Sequence, residues 1–229
     1  MTGSEFVELS RQLRDALTPA DLDETLANIT AAAVQALPDV AYASITIKHA
    51  DGRLETVAPT DDLIFDVDAA QYRFQEGPCY EAAVESVHVT APHLAEDRRW
   101  PRYAPLAVAA GIQAQAGLRL FDAQHSNGAL NLYALEAGAF EDLGAVGELF
   151  SHQAAMALEY ARQITQLQEA AQTRQRIGQA VGVVMQRYGL DEARAFAFLA
   201  RLSSTSNTKL RVVADRMISD LGEGTTGSE

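Results

Sequence analysis

Residues 142–189 decide the architecture; they read DLGAVGELFSHQAAMALEYARQITQLQEAAQTRQRIGQAVGVVMQRYG. The stretch contains no proline and ends on a glycine, a pattern that is typical of a helix. An apolar seam with 3.5-residue spacing predicts a long helix over 142–171 that pairs with a second copy of the chain. The seam consists of Val146, Phe150, Gln153, Ala157, Tyr160, Ile164, Leu167, Ala171 and Arg174.

The predicted homodimer interface takes five apolar residues of this seam. An alternative is a single amphipathic helix packed on the preceding domain, at least in its early part, and the polar residues Gln153 and Arg174 weaken the seam. Pairing is favoured because so long an apolar seam would otherwise face water. The interface residues are Phe150, Ala157, Tyr160, Ile164 and Leu167.

The segment 172–221 is predicted to be a module of three short helices that bury one another's apolar stripes. The first helix ends at Tyr188-Gly189, Asp191 caps the second, and Asn207 caps the third after a loop over 203–206. Residues 222–229 are polar and predict a disordered tail. The inward residues are Ile177, Ala180, Val181, Val184 and Met185 on the first helix, Ala193, Phe196, Ala197, Leu199 and Ala200 on the second, and Leu210, Val213, Ala214, Met217 and Ile218 on the third.

Residues 1–141 predict an α+β domain with a mostly antiparallel sheet. Two helices come first, and Asp21 is the expected cap of the second. Alternating residues then predict a hairpin, with Asp51-Gly52 as its turn, and Asn127-Gly128 is a strong turn signal between the last two strands. The predicted helices cover 5–17, 21–37 and 100–110, residues 61–74 are predicted to be a helix or a loop, and a turn at 76–80 is predicted to open a short helix that ends at Glu85. The predicted strands cover 42–48, 54–58, 87–90, 112–121 and 129–135.

Composition narrows the class of protein. The chain has 229 residues, a net charge of −13, 48% hydrophobic residues and a single cysteine. One cysteine excludes an intramolecular disulfide framework and fits a reducing compartment. No apolar run reaches the length of about 18 residues that a membrane helix needs, and the N-terminus lacks the apolar stretch of a signal peptide. We therefore expect a soluble cytoplasmic protein without a membrane partner.

Charge is distributed unevenly along the chain. Residues 1–171 carry 10 basic and 25 acidic side chains, whereas residues 172–217 carry eight basic and three acidic ones, a net charge of +5. The basic segment is suited to nucleic acid even though the chain as a whole would repel it. A solvated, Arg-rich helical surface explains the same charges equally well.

Enzymatic signatures are absent from the sequence. The five histidines are scattered, and no phosphate loop, nucleophile elbow or zinc motif occurs. His88 and His93 with Asp97 form at most a weak metal-binding pattern, and ordinary loop histidines are the favoured interpretation. We expect a protein that is not an enzyme and holds no metal.

Cys79 and four aromatic residues are the candidates for a sensing site. Cys79 lies near a helix start, where the helix dipole would lower its pKa and favour redox sensing or ligand attachment. We favour the interpretation that Cys79 is a small buried apolar residue, because the chain has no second cysteine that could form a disulfide with an oxidised Cys79. The aromatic residues either line a cavity for an unidentified small molecule or fill the core; they are Tyr72, Phe74, Trp100 and Tyr103.

The C-terminal module contains RIGQAVGVVM at 176–185, then Gly189-Leu190, and further characteristic positions spread over the next two helices. On these residues the module resembles the ANTAR domain of bacterial transcription antitermination regulators. Many members have lysine where this chain has Val181. The later positions are Ala193, Phe196, Leu199, Ser203, Asn207, Lys209-Leu210 and Val213-Ala214.

Residues 20–160 resemble a GAF domain more diffusely, through EGPC at 76–79, RWP at 99–101 and GALNLY at 128–133. The two resemblances together point to the GAF–ANTAR regulators of actinobacteria. They imply a small-molecule or signal-sensing pocket above an antiparallel sheet, and a dimer whose helical modules bind paired RNA stem-loops in nascent transcripts.

The expected RNA-binding residues are those suited to phosphate or to splayed bases. Lys and Arg neutralise phosphate, whereas amide and hydroxyl groups read loop bases. Gly178 and Gly182 lie on one helix face, where an RNA backbone, a partner helix or packing against Ala193 or Ala197 could come close. A protein-interaction switch and a DNA-binding regulator remain alternatives. The predicted set is Arg176, Gln179, Gly182, Ser206, Asn207, Lys209 and Arg211.

Overall fold

The computed structural model describes Arg11 and residues 21–37, 39–85, 87–123 and 126–224. Apart from Arg11, the helix predicted over 5–17 lies outside these residues, as does the tail from 225 onward. The chain divides into two compact units, 1–163 and 164–229, called here the N-terminal and C-terminal units. The helices are α1 (Leu22–Ala36), α2 (Leu63–Phe74), α3 (Pro78–Glu85), α4 (Tyr103–Ala109), α5 (Gly144–Tyr188), α6 (Glu192–Thr205) and α7 (Leu210–Gly224), and the strands are β1 (Tyr42–His49), β2 (Leu54–Val57), β3 (Val89–Ala91), β4 (Ala114–Ala123) and β5 (Ser126–Ala134).

The predicted α+β class is confirmed by a five-stranded antiparallel sheet in the order β2-β1-β5-β4-β3. The expected cap of α1 is also present, since the Asp21 carboxylate accepts a hydrogen bond of 2.9 Å from the Glu24 amide. Helix α1 and the start of α5 contribute to one apolar core against the sheet, and helices α2 to α4 contribute to a second.

The turn predicted at Asn127-Gly128 is wrong. Both residues lie inside β5, where Asn127 is opposite Asp122 and Gly128 is opposite Phe121. The glycine is required by packing instead, because a Cβ atom there would come within 2.0 Å of the Phe121 ring. A register shift between Arg119 and Phe121 accompanies this contact.

The burial of side chains on the long helix shows that part of the predicted dimer interface is wrong. Phe150 and Ala157 are 0% and 4% exposed and belong to the core beneath the sheet of their own unit. Side chains that are already buried in one chain have no surface left for a second copy, so the alternative of packing on the preceding domain is correct for this part of α5. Tyr160 and Leu167, by contrast, are 53% and 71% exposed.

In the C-terminal unit, the last part of α5 packs with α6 and α7, as the sequence predicts. Helix α5 continues without a break across residues 171 and 172. The core of the C-terminal unit consists of Ala180, Val181, Val184, Ala195, Leu199, Val213 and Ala214.

The inward face of α6 differs from the prediction. Ala195 and Leu199 are buried, whereas Ala193, Phe196 and Ala197 are exposed. The apolar residues of α6 are distributed over most of the helix surface, so the sequence of this helix alone does not define one buried stripe.

The boundaries of the last two helices also differ. The loop predicted over 203–206 is helical as far as Thr205, whose hydroxyl donates to the Arg201 carbonyl at 2.9 Å. Asn207 does not cap α7, because that helix begins at Leu210 and Asn207 has a left-handed backbone with φ of 49°. Residues 222–224 of the predicted tail are helical, since α7 extends to Gly224.

Candidate functional site

A polar groove lies between α5 and α7 in the C-terminal unit and encloses about 430 Å³. Amide and guanidinium side chains dominate it, and the Arg176 Nε atom lies 3.4 Å from the Asp215 carboxylate. Both side chains are about half exposed, so this ion pair is weak and Arg176 stays accessible to a ligand. The groove is lined by Gln172, Thr173, Gln175, Arg176, Gln179, Arg211 and Asp215.

A second depression, called the basic depression, adjoins the polar groove and shares Thr173 and Arg211 with it. It adds two cationic side chains, Arg174 and Lys209, with one acidic neighbour, Glu169. The two together make one continuous surface that we name the polar surface. The remaining residues of the basic depression are Gln166, Ala170, Ile177 and Leu210.

The polar surface brings together four of the residues predicted to bind RNA: Arg176, Gln179, Lys209 and Arg211. Sequence reasoning missed Gln172 and Gln175 and assigned Arg174 to the dimer seam. Residues 172, 175, 176 and 179 recur at helical spacing, so a search for a polar stripe on α5 would have found them.

Three predicted RNA-binding residues lie elsewhere. Ser206 ends α6, where its backbone N–H and its hydroxyl both donate to the Leu202 carbonyl. Asn207 follows it in the turn, and Gly182 lines a different groove.

This different groove, the glycine groove, lies between α5 and α6, encloses about 840 Å³ and is mainly apolar. No described atom beyond the helix's own backbone lies within 4 Å of the place that a Cβ would occupy at Gly178 or Gly182. The alternative that these glycines permit packing against Ala193 or Ala197 of the same chain is therefore wrong. The groove is lined by Arg174, Ile177, Gly178, Val181, Gly182, Met185, Asp191, Glu192, Ala193 and Phe196.

The N-terminal unit contains a buried polar network centred on Asp68. Its carboxylate accepts hydrogen bonds from Ser44 at 2.9 Å and Thr56 at 3.0 Å, and also from Gln71 and Tyr133. Burial raises the pKa of Asp68 to about 6, although these four donors favour its ionised form.

The network extends across the neighbouring strands. Asn131 on β5 is opposite Ser44 on β1 and donates to the Ser44 and Thr46 hydroxyls. Sequence reasoning missed this cluster, although polar residues at alternate positions of β1 and β5 could have indicated it.

Cys79 joins the other end of the same network, because its backbone N–H donates to Gln71 Oε1 at 3.0 Å. Its sulfur accepts a 2.8 Å hydrogen bond from Gln115 Nε2, and Gln115 in turn accepts one from the Tyr103 hydroxyl. Burial is the main cause that raises the Cys79 pKa, which corrects the expectation that the helix dipole would lower it. The environment supports the buried structural role over redox sensing.

The aromatic candidates do not share one environment. The Tyr72 hydroxyl contacts Thr46 and Thr56, and the indole of the buried Trp100 donates to Glu81 at 2.7 Å. Phe74 is only partly buried and is covered by the guanidinium groups of Arg73 and Arg102. Tyr72, Cys79 and Tyr103 are therefore linked by polar contacts, whereas Phe74 lies apart.

Replacing Asp68 with asparagine should change how stability depends on pH. Because the folded-state pKa is above the ordinary value of 3.8, Asp68 binds more protons in the folded protein than in the unfolded chain between about pH 4 and 6, and its contribution to stability falls as pH rises through that window. We expect the stability of Asp68→Asn relative to wild type to rise by about 2 kcal/mol from pH 4 to pH 7 in urea unfolding. A difference that stays constant with pH would contradict the burial argument.

Replacing Cys79 with serine should destabilise the protein without changing its response to oxidant. The smaller hydroxyl substitutes poorly in this buried site, so we expect a loss of about 1–3 kcal/mol in urea unfolding. Peroxide treatment should leave the RNA affinity of wild type and Cys79→Ser equally unaffected. A peroxide effect on wild type that disappears in the variant would make this unit a redox sensor.

The described residues contain no cluster of three or more potential metal ligands. His88 accepts from the Arg119 amide, His93 pairs with Glu141 at 2.9 Å, and Asp97 pairs with Arg99, so the weak pattern does not assemble. Within the same part of the chain, no helix is long and apolar enough to span a membrane.

Comparison with protein-family models assigns each of the two units to a domain family. A GAF domain model matches residues 19–159, and an ANTAR domain model matches residues 165–218. The chain belongs to the GAF domain family. An ANTAR domain follows its GAF domain, so a sensor domain precedes an RNA-binding module of the kind that acts in transcription antitermination.

Solved structures resemble the GAF domain in fold. One is the N-acylhomoserine lactone dependent LuxR family transcription factor CepR2 from Burkholderia cenocepacia, with 16% identity, TM-score 0.53 and coverage of 70% of this chain and 98% of that one. Another is free methionine-R-sulfoxide reductase from Neisseria meningitidis, with 15% identity, TM-score 0.52 and coverage of 72% and 95%.

A third is the GAF domain of a phosphoenolpyruvate-protein phosphotransferase from Coxiella burnetii, with 14% identity, TM-score 0.53 and coverage of 72% and 99%. At these identities the likeness shows the fold alone. Comparison with curated proteins gives no match.

Proposed function

We propose that this GAF–ANTAR protein is a signal-regulated antiterminator that binds paired RNA stem-loops in nascent transcripts in the cytoplasm. The observation that carries the proposal is the polar surface of the ANTAR domain. Arg174, Arg176, Lys209 and Arg211 converge there beside the amide of Gln179. This combination is suited to RNA loops, because cationic groups contact phosphates while amides hydrogen-bond to splayed bases.

Regulation would enter through the GAF domain and helix α5. The polar network around Asp68 is the candidate site for a small-molecule signal, and Tyr72, Cys79 and Tyr103 are the ligand-pocket candidates that belong to it. Helix α5 would set the spacing of two ANTAR domains in a homodimer through Tyr160, Ile164 and Leu167. Two modules held by one dimer would bind two hairpins far more tightly than one module binds one hairpin. Stabilising an antiterminator fold requires no covalent chemistry.

Binding to a two-hairpin RNA, compared with duplex DNA of matched length over a range of salt concentrations, tests this proposal. We expect specific RNA binding whose affinity falls with salt, with a log–log slope of about −0.7 to −0.9 for each phosphate contact. Equal affinity for the DNA would favour a DNA-binding regulator. A lack of RNA binding at low salt, with several two-hairpin candidates, would contradict the proposal.

A further inference from the structure

Asp68 is a fully buried carboxylate whose hydrogen-bond donors in the described residues are all uncharged. They are the hydroxyls of Ser44, Thr56 and Tyr133 and the side-chain amide of Gln71. Burial raises the pKa of Asp68 to about 6, so at neutral pH the network holds a negative charge. A buried charge without an opposite charge is unfavourable, and a cation bound beside it would recover part of the lost free energy.

Asn131 adds a buried acceptor to the same network. Its side-chain N–H groups donate to the hydroxyls of Ser44 and Thr46, at 2.9 and 2.8 Å. Its carbonyl oxygen, Oδ1, is buried and has no hydrogen-bond partner in the described residues. A buried acceptor without a donor is unfavourable as well, so the network is short of both a positive charge and a hydrogen-bond donor.

Tyr72 lies at the end of the network that is nearest to solvent. Tyr72 and Thr56 are only partly buried, whereas Asp68 and Asn131 are fully buried. The Tyr72 hydroxyl makes hydrogen bonds of 2.7 Å with Thr46 and 2.8 Å with Thr56. These two threonines bond in turn to Asn131 and to Asp68. A ligand group that replaced the Tyr72 hydroxyl would therefore come close to both acceptors.

We propose that the network binds a small organic cation, a primary ammonium ion on a compact apolar group, which takes the place of the Tyr72 side chain. The inference rests on the sensing role proposed above for the GAF domain and names the class of its ligand. An ammonium group has three N–H donors and no acceptor, which matches Asp68, the Asn131 carbonyl and a threonine hydroxyl. Rotation of Tyr72 towards solvent would leave a space the size of its ring for the apolar part of the ligand.

Charge and the number of donors favour an ammonium ion over other classes of small molecule. A carboxylate or phosphate ligand would be repelled by Asp68. A neutral alcohol would supply a single donor and would leave the charge uncompensated. A guanidinium group carries its donors in a planar fork that is larger than the hydroxyl it would replace.

Titration of the full-length protein with benzylammonium, benzyl alcohol and benzoate tests the proposal, because these probes share one ring and differ in charge. Calorimetry at neutral pH without RNA gives the three dissociation constants. We expect benzylammonium to bind at least tenfold more tightly than benzyl alcohol, and benzoate to bind more weakly than either. Equal affinities, or no binding of benzylammonium, would overturn the proposal.

Two substitutions should act in opposite directions. Asp68→Asn removes the charge and should abolish the preference for benzylammonium over benzyl alcohol. Tyr72→Phe should raise the affinity for benzylammonium several-fold, because the ring then leaves the site without breaking two hydrogen bonds. Asp66→Asn, at an exposed position of the same helix, is the matched control and should behave as wild type. A preference that survives in Asp68→Asn, or weaker binding to Tyr72→Phe, would overturn the proposal.

This inference and the proposed function fail separately. A titration that shows no preference for the ammonium probe overturns the ligand class and leaves RNA binding standing, since no RNA is present. A protein that binds no two-hairpin RNA contradicts the proposed function, and its titration with benzylammonium still decides the ligand class. If circular dichroism shows that Asp68→Asn does not fold, the Tyr72→Phe titration decides alone.

Discussion

Replacing Arg176, Lys209 and Arg211 together with alanine is expected to reduce the affinity of one ANTAR module for a single hairpin about a hundredfold, at roughly 1 kcal/mol for each lost contact. The log–log salt dependence should flatten by about 2 to 3, because three phosphate contacts disappear. Titration by fluorescence anisotropy at several salt concentrations measures both effects, and far-UV circular dichroism checks that the helices remain.

A matched triple variant controls for charge alone. Arg187, Arg194 and Arg201 belong to the same ANTAR domain but line neither part of the polar surface. Their replacement with alanine removes the same charge and should weaken binding much less. Gln179→Ala should reduce discrimination between loop sequences while leaving the salt slope unchanged, because an amide carries no charge. Equal losses in the two triple variants would show that binding follows net charge rather than this surface.

Replacing Ile164 and Leu167 with aspartate should convert the dimer to a monomer in analytical ultracentrifugation. Charges placed on the exposed seam would repel their counterparts and remove apolar contact area. The loss of one module from each complex should lower affinity for a paired hairpin about 10²- to 10⁴-fold, while binding to a single hairpin stays close to that of wild type.

Gln166 and Gln172 provide the control on the same helix, because both are exposed and neither lies in the seam or at the positions that flank it. Their replacement with aspartate should leave the dimer intact. A dimer that survives the Ile164 and Leu167 substitutions would place the interface elsewhere on the chain.

Local sequence signals were sufficient for the class of the fold and for the caps of two helices, but not for every turn and boundary. Asp21 and Asp191 cap their helices as predicted, and the alternation that begins at Tyr42 gives β1. These predictions succeed because each depends on residues within a few positions of one another. Asn127-Gly128 failed because the reason for its glycine is the Phe121 ring on the opposite strand.

The candidate sites show the same limit. Helical spacing alone could have identified the glutamines of the polar groove, and the basic segment was visible in the charge count. Spacing did not reveal that Phe150 faces its own sheet, because a seam for a partner and a stripe for a core have the same period. The network around Asp68 depends on residues up to 89 positions apart, brought together by strand pairing and by α2.

Mapping the protein–RNA crosslinks of the full-length chain is the most direct test of the central claim that the polar surface binds RNA. Ultraviolet crosslinking to a library of two-hairpin RNAs with randomised loops, followed by mass spectrometry, would identify the peptides that carry nucleotides. We predict adducts within residues 166–179 and 209–215, with enrichment of particular loop sequences. Adducts confined to the GAF domain or to residues 181–196, or none under any condition, would contradict the account.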